Sequence, residues 1–134
     1  MPALAPALAE AQAMLADATA AAAQAGRSIA AVVLDRGGHI VAAARMDGVD
    51  HLTLKIARRR AAAALHFGEP TRGPALHLAR DPAQTAQLAA LGQILVQPGG
   101  FPWRDGGAVI GALGVAGAGD EADHAIGDQA IGVL

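Results

Sequence analysis

The 134-residue chain has no cysteine, which removes disulfides, thiolate nucleophiles and cysteine-based metal sites. Tyrosine is missing too, and Phe67, Phe101 and Trp103 are the whole aromatic complement apart from histidine. Net charge is small: a formal −2 gives no general affinity for polyanions, so nucleic acid is not an expected partner. No apolar run reaches membrane-spanning length. The apolar N-terminal stretch has no basic lead, and Glu10 and Asp17 interrupt it. The expectation is a helix rather than a signal peptide, in a cytoplasmic protein. HExxH, GxSxG and P-loop patterns are absent, and Gly106, Gly107 and Gly111 do not precede a helix as a phosphate cradle requires. No two of the five histidines are spaced i, i+4, so no metal site is expected.

What is present is apolar residue, 53% of the chain, much of it alanine. Alanine favours helix and close packing but gives each side chain little area to bury. A homo-oligomer, dimer or larger, is therefore expected. The length suits one domain, residues 1–134, with a single core.

Leu4, Leu8, Ala11, Leu15 and Ala22 recur at helical spacing, which predicts a covering helix over residues 3–25, stopped by Gly26. Ser28 to Asp35 reads as a strand, Arg36-Gly37-Gly38 as a turn and His39 to Met46 as its hairpin partner. Asp50 can cap a helix from His51 to about Phe67, with Leu52, Ile56, Ala63 and Phe67 as its apolar stripe. Lys55, Arg58 and Arg59 share one face of it at i, i+3, i+4, which either is solvated or recognises a carboxylate. A helical turn is expected near Pro74 to Leu78. Asp81-Pro82 starts a further helix ending at Gly92, and Ile94 to Gln97 reads as a strand.

Pro98 to Asp120 predicts a hairpin reversing at Arg104-Asp105-Gly106-Gly107. Its uncharged returning run, Ala108 to Val115, reads as a central strand, and Gly111 and Gly114 in it mark a close approach. Asp120 is expected to cap the last helix, with Glu121 and Asp123 complementing its dipole. The order predicts an α/β (α+β) domain with a five-stranded antiparallel sheet packed with helices.

Three stretches carry a family resemblance. They are Gly99-Gly100-Phe101-Pro102 with Asp105-Gly106-Gly107 and GALGVAGAGDEADHA from Gly111, the hairpin LDRGGHIVAAARMDG from Leu34, and Pro70-Thr71. Together they resemble the family that includes GlcG, HbpS and the C-terminal domain of PduO, over nearly the whole chain. The resemblance implies a profilin-like fold, an oligomer, and haem or another tetrapyrrole as candidate ligand. At Arg60 and Ala63 the chain departs from it: the family's usual Lys-Ala-x-Thr-Ala is Arg60-Ala61-Ala62-Ala63-Ala64 here. Arginine holds a carboxylate bidentately but does not accept a proton.

The reading that follows is a protein binding a small, apolar, carboxylate-bearing molecule. Arg60 would anchor the carboxylate at the edge of a cavity left by Ala63, Ala64, Gly111 and Gly114. Gly100, Phe101 and Trp103 would cover the apolar part, with Arg45 and Thr71 nearby. If haem is the ligand, the iron-ligand candidates are His51, His66 and His124. His51 and His66 lie about 22 Å apart along one helix and cannot serve one iron together. The alternative is a cofactor-independent enzyme, an isomerase, lyase or hydrolase acting on a carboxylic acid, with acid–base groups drawn from Asp35, Asp47, Glu69, Asp105, Asp120 and the histidines. A third is a structural or accessory subunit. Catalytic residues are not selected by the sequence.

Overall fold

The computed structural model describes residues 5–132. Residues 3 and 4 of the expected first helix, Leu4 included, lie outside them. The elements in order are α1 (Leu8–Gln24), β1 (Ala30–Asp35), β2 (Ile40–Arg45), α2 (His51–Phe67), α3 (Arg72–Leu78), α4 (Pro82–Leu91), β3 (Gly100–Asp105), β4 (Ala108–Ala116) and α5 (Asp120–Ile131).

The sheet has four antiparallel strands in the order β2-β1-β4-β3, not five. The missing strand is Ile94 to Gln97. Its apolar run suits a strand, but the Leu95 amide donates to the Arg59 carbonyl of α2 (3.2 Å), and Thr71 Oγ1 donates to the Gln97 carbonyl (2.5 Å). Backbone groups taken by a helix and a side chain cannot also form a ladder.

β1 and β4 are the central pair, and alternation along them builds two cores. Ala31, Val33, Leu113 and Val115 point to one face, where α1 and α5 cover them together with Phe101 and Trp103. Ala30, Val32, Leu34, Ala112 and Ala116 point to the other, against Ala57, Ala61 and Ala64 of α2. On α1 the buried residues are Ala11, Met14, Leu15, Ala18, Ala21 and Ala22, whereas Leu8 is exposed.

α2 packs through alanines because its backbone sits directly on β4. A Cβ at Gly114 would lie 1.8 Å from the Ala57 carbonyl oxygen. The expected stripe holds in part: Ala63 is buried and Ile56 packs half-buried against this core, but Leu52 is exposed and Phe67 half-buried. The Asp50 cap is as expected, accepting from the Leu52 amide at 3.1 Å. So is the Asp81 cap, accepting from Gln84 (3.0 Å), and Pro82 begins α4. The β3–β4 turn uses Gly106 and Gly107 at φ 59° and 88°, a left-handed backbone that strains other residues. The cap of α5 is corrected: Gly119 occupies that position and Asp120 is the first helical residue, with no side-chain cap bond.

Candidate functional site

Arg60 lies on the buried side of α2 with Ala57, Ala61 and Ala64. Its guanidinium crosses the molecule. Nη1 donates to the Val115 carbonyl (2.8 Å) and to Asp123 Oδ2 (2.6 Å). Nη2 donates to Asp120 Oδ1 (3.0 Å) and Gln97 Oε1 (2.9 Å), and Nε donates to the same Gln97 oxygen (3.2 Å). The guanidinium has five N–H groups, so no free fork faces a ligand. The residue joins α2, β4, α5 and the segment before β3.

Asp123 is buried beside it, and its Oδ1 accepts from the Ala118 amide at 2.8 Å. Burial pushes its carboxyl above the ordinary aspartate range, and the hydrogen bonds from Arg60 and Ala118 offset part of that. The cavity expected between Ala63, Ala64, Gly111 and Gly114 is filled. The α2 backbone occupies the Gly114 notch, and the Leu34 carbonyl and Pro6 occupy that of Gly111.

Gly100, Phe101 and Trp103 form strand rather than a covering loop, and all three are buried. A Cβ at Gly100 would lie 2.2 Å from the Arg60 carbonyl oxygen, so only glycine fits. Phe101 packs against Gly127 and the His124 ring, whose centroid is 5.1 Å away. Thr71 is a buried brace: its hydroxyl accepts from the Gly100 amide (2.9 Å) and donates to the Gln97 carbonyl. Arg45 is exposed and donates to the Val49 carbonyl.

His51 is exposed, with Nδ1 2.8 Å from Asp50 Oδ1. His66 is exposed and meets Phe67 edge to face. His124 is half-buried, and its Nδ1 is buried with no hydrogen-bond partner among the described residues. The three histidines are not brought to one place, whereas Gly100 meets both Arg60 and Thr71, and Phe101 meets His124. Among the described residues no group of three His, Asp or Glu side chains is arranged to hold a metal.

Two hollows lie elsewhere, on the outer side of α2. One is an apolar groove of about 370 Å³ between α4 and the segment before β3, walled by Leu78, Leu88, Ile94, Leu95 and Val96. The other is a cleft of about 570 Å³ bounded by the β1–β2 turn, Lys55, Arg58, Arg59 and Gly92. Arg59 and Gly92 belong to both. Arg59 precedes Arg60 by one residue on α2, about 100° away around the helix, and is exposed where Arg60 is buried. Among the described residues no hydrogen bond or ion pair occupies the side chains of Lys55, Arg58 or Arg59. The sequence does group these three cations on one face. It does not reveal the groove, because Ile94 to Val96 reads as a strand and α4 as an ordinary helix. One signal was available: α4, PAQTAQLAAL, has no charge, and in the fold it also has no buried residue.

The sequence pattern of the family described as haem degrading protein HbpS-like matches residues 7–132. Among solved structures, a double mutant of Streptomyces reticuli HbpS is 29% identical, covering 100% of this chain and 90% of its own, with a TM-score of 0.88. Klebsiella pneumoniae ORFY is 28% identical over 95% of this chain and 88% of its own, with a TM-score of 0.86. A PduOC–haem complex shares the fold at 21% identity, covering 97% of this chain and 95% of its own, with a TM-score of 0.88. A search of curated proteins gives no match.

Proposed function

The chain belongs to the HbpS-like family, and we propose that it binds a small apolar molecule carrying a carboxylate, with haem as the first candidate. The observation that carries this reading is Arg59, a cation without a partner among the described residues, standing at the rim of an apolar groove. This is the arrangement expected of Arg60, displaced by one residue to the outer face. A guanidinium offers a carboxylate two parallel hydrogen bonds, and leucine and isoleucine walls exclude water from the rest of the ligand.

The groove suits haem in part. Its walls match the apolar edge of the macrocycle, and Arg59 matches a propionate. None of His51, His66 and His124 lines it, so the polar groups closest to a bound molecule are Arg59, Gln97 and Thr85. Thr85 is engaged, its hydroxyl donating to the Leu78 carbonyl at 2.8 Å. Haem, when bound, would supply redox and oxygen chemistry at its iron. The chain's own contribution is to hold the carboxylate and shield the apolar face.

The test is titration of hemin, read by its Soret band, against wild type, Arg59→Gln and Leu95→Asp. Removing one exposed charge contact should weaken binding about threefold, the equivalent of roughly 0.7 kcal/mol. A charge in the groove wall should weaken it further, and the thermal midpoints should move little. Equal affinities for all three proteins would reject the groove as the site, and no Soret change with wild type would reject haem.

A further inference from the structure

The larger cleft asks for a different ligand. Its floor is the outer face of α2, with Lys55, Arg58 and Arg59 one turn apart and Ala62 leaving space beside them. One wall is the β1–β2 turn, which brings His39 to the cleft. That turn is held in place: Asp35 Oδ1 accepts from the amides of Gly37 (2.9 Å) and His39 (3.0 Å). The opposite wall is Gly92 and Gln93. Among the described residues no acidic side chain lines the cleft.

A basic helix face is ordinarily solvated on a convex surface or paired with acidic neighbours. This one is exposed but lies in a concave site, with no acidic partner among the described residues. The chain carries 12 acidic against 10 basic residues, yet three cations share one concave site and none has an acidic partner among the described residues. Like charges at i, i+3 and i+4 repel one another. An anion seated between them removes that repulsion and gains charge-assisted hydrogen bonds. The walls concentrate the field of the three charges within the cleft.

We infer that this cleft is a binding site for a small polyanion, a molecule with two or more phosphate or carboxylate groups. Lys55, Arg58 and Arg59 neutralise the charge, and the His39 imidazole contributes a hydrogen bond from the facing wall. About 570 Å³ suits a metabolite, and a net charge of −2 gives the protein no general affinity for a long polyanion. The site is separate in chemistry from the groove, though the two share Arg59.

The experiment is calorimetric titration of inorganic pyrophosphate and of citrate, at low and at physiological salt. The proteins are wild type, the double variant Lys55→Gln/Arg58→Gln, and Arg72→Gln as a control. Arg72 is an exposed arginine on α3, 3.0 Å from Glu121 and not part of the cleft. Wild type should bind at least one probe, and salt should weaken the binding by screening. Removing two exposed charge contacts should weaken it about tenfold, at roughly 0.7 kcal/mol each. Arg72→Gln should leave affinity within about twofold of wild type. Pyrophosphate alone binding would assign the site to phosphates, and citrate alone would assign it to carboxylates. No binding of either probe to wild type, or an equal loss in the control, overturns the inference. Neither probe has an apolar part, so the outcome does not depend on whether the groove binds hemin.

Discussion

Arg60→Ala tests whether Arg60 is a brace or a ligand anchor. The change removes a guanidinium that bridges Asp123, Asp120, Gln97 and Val115. The contacts differ in weight. Asp120 is 58% exposed at its side chain, and such a pair contributes about 0–1 kcal/mol. Asp123 is 1% exposed, so its carboxylate would be left buried with only backbone donors, Ala118 and Gly117. Breaking a buried pair from one side costs about 3–5 kcal/mol. For a chain of this size that is a fall in melting temperature of roughly 10–20 °C. Arg60→Lys should fall between, because an ammonium keeps the charge but cannot reach the same set of acceptors. The double variant Arg60→Met/Asp123→Leu should be less damaging than Arg60→Ala alone. It removes both charges together, and the desolvation that raises the Asp123 carboxyl disappears with them. The assay is thermal and urea unfolding by circular dichroism at one fixed protein concentration, since any self-association would shift the midpoint. An Arg60→Ala melting point within about 3 °C of wild type would refute the brace.

Gly127→Ala on α5 gives a sign change. Its Cβ would lie 2.3 Å from Cε2 of the buried Phe101, so the substitution should cost about 1–3 kcal/mol by overpacking. In a Phe101→Leu background the same change should become neutral or gain up to about 1 kcal/mol of helix propensity, and urea midpoints for the four proteins decide it. Assembly is the other test: α4 combines no charge with no buried side chain, so the protein is expected to run as a dimer or larger. Light scattering that returned the 13.3 kDa monomer mass at micromolar concentration would remove that expectation.

Local chemistry determined most of the elements. Asp50 and Asp81 capped their helices, the Gly106-Gly107 turn set the last hairpin, and the uncharged run before Asp120 became a central strand. Each of these needs only residues a few positions apart. Gly114 was also legible as a point of close approach, though not what approaches. Tertiary packing decided the rest. Arg60 and Asp123 are 63 residues apart, and only the seating of α2 on β4 beside α5 makes them partners. Ile94 to Gln97 had the composition of a strand, but its backbone groups were taken by α2 and Thr71, which no local pattern reveals. The choice between Arg59 and Arg60 is of the same kind. They differ by one residue and about 100° of helix rotation. Which one faces the interior depends on the alanines at 57, 61 and 64 meeting the glycine notch, a contact that exists only once the chain has folded.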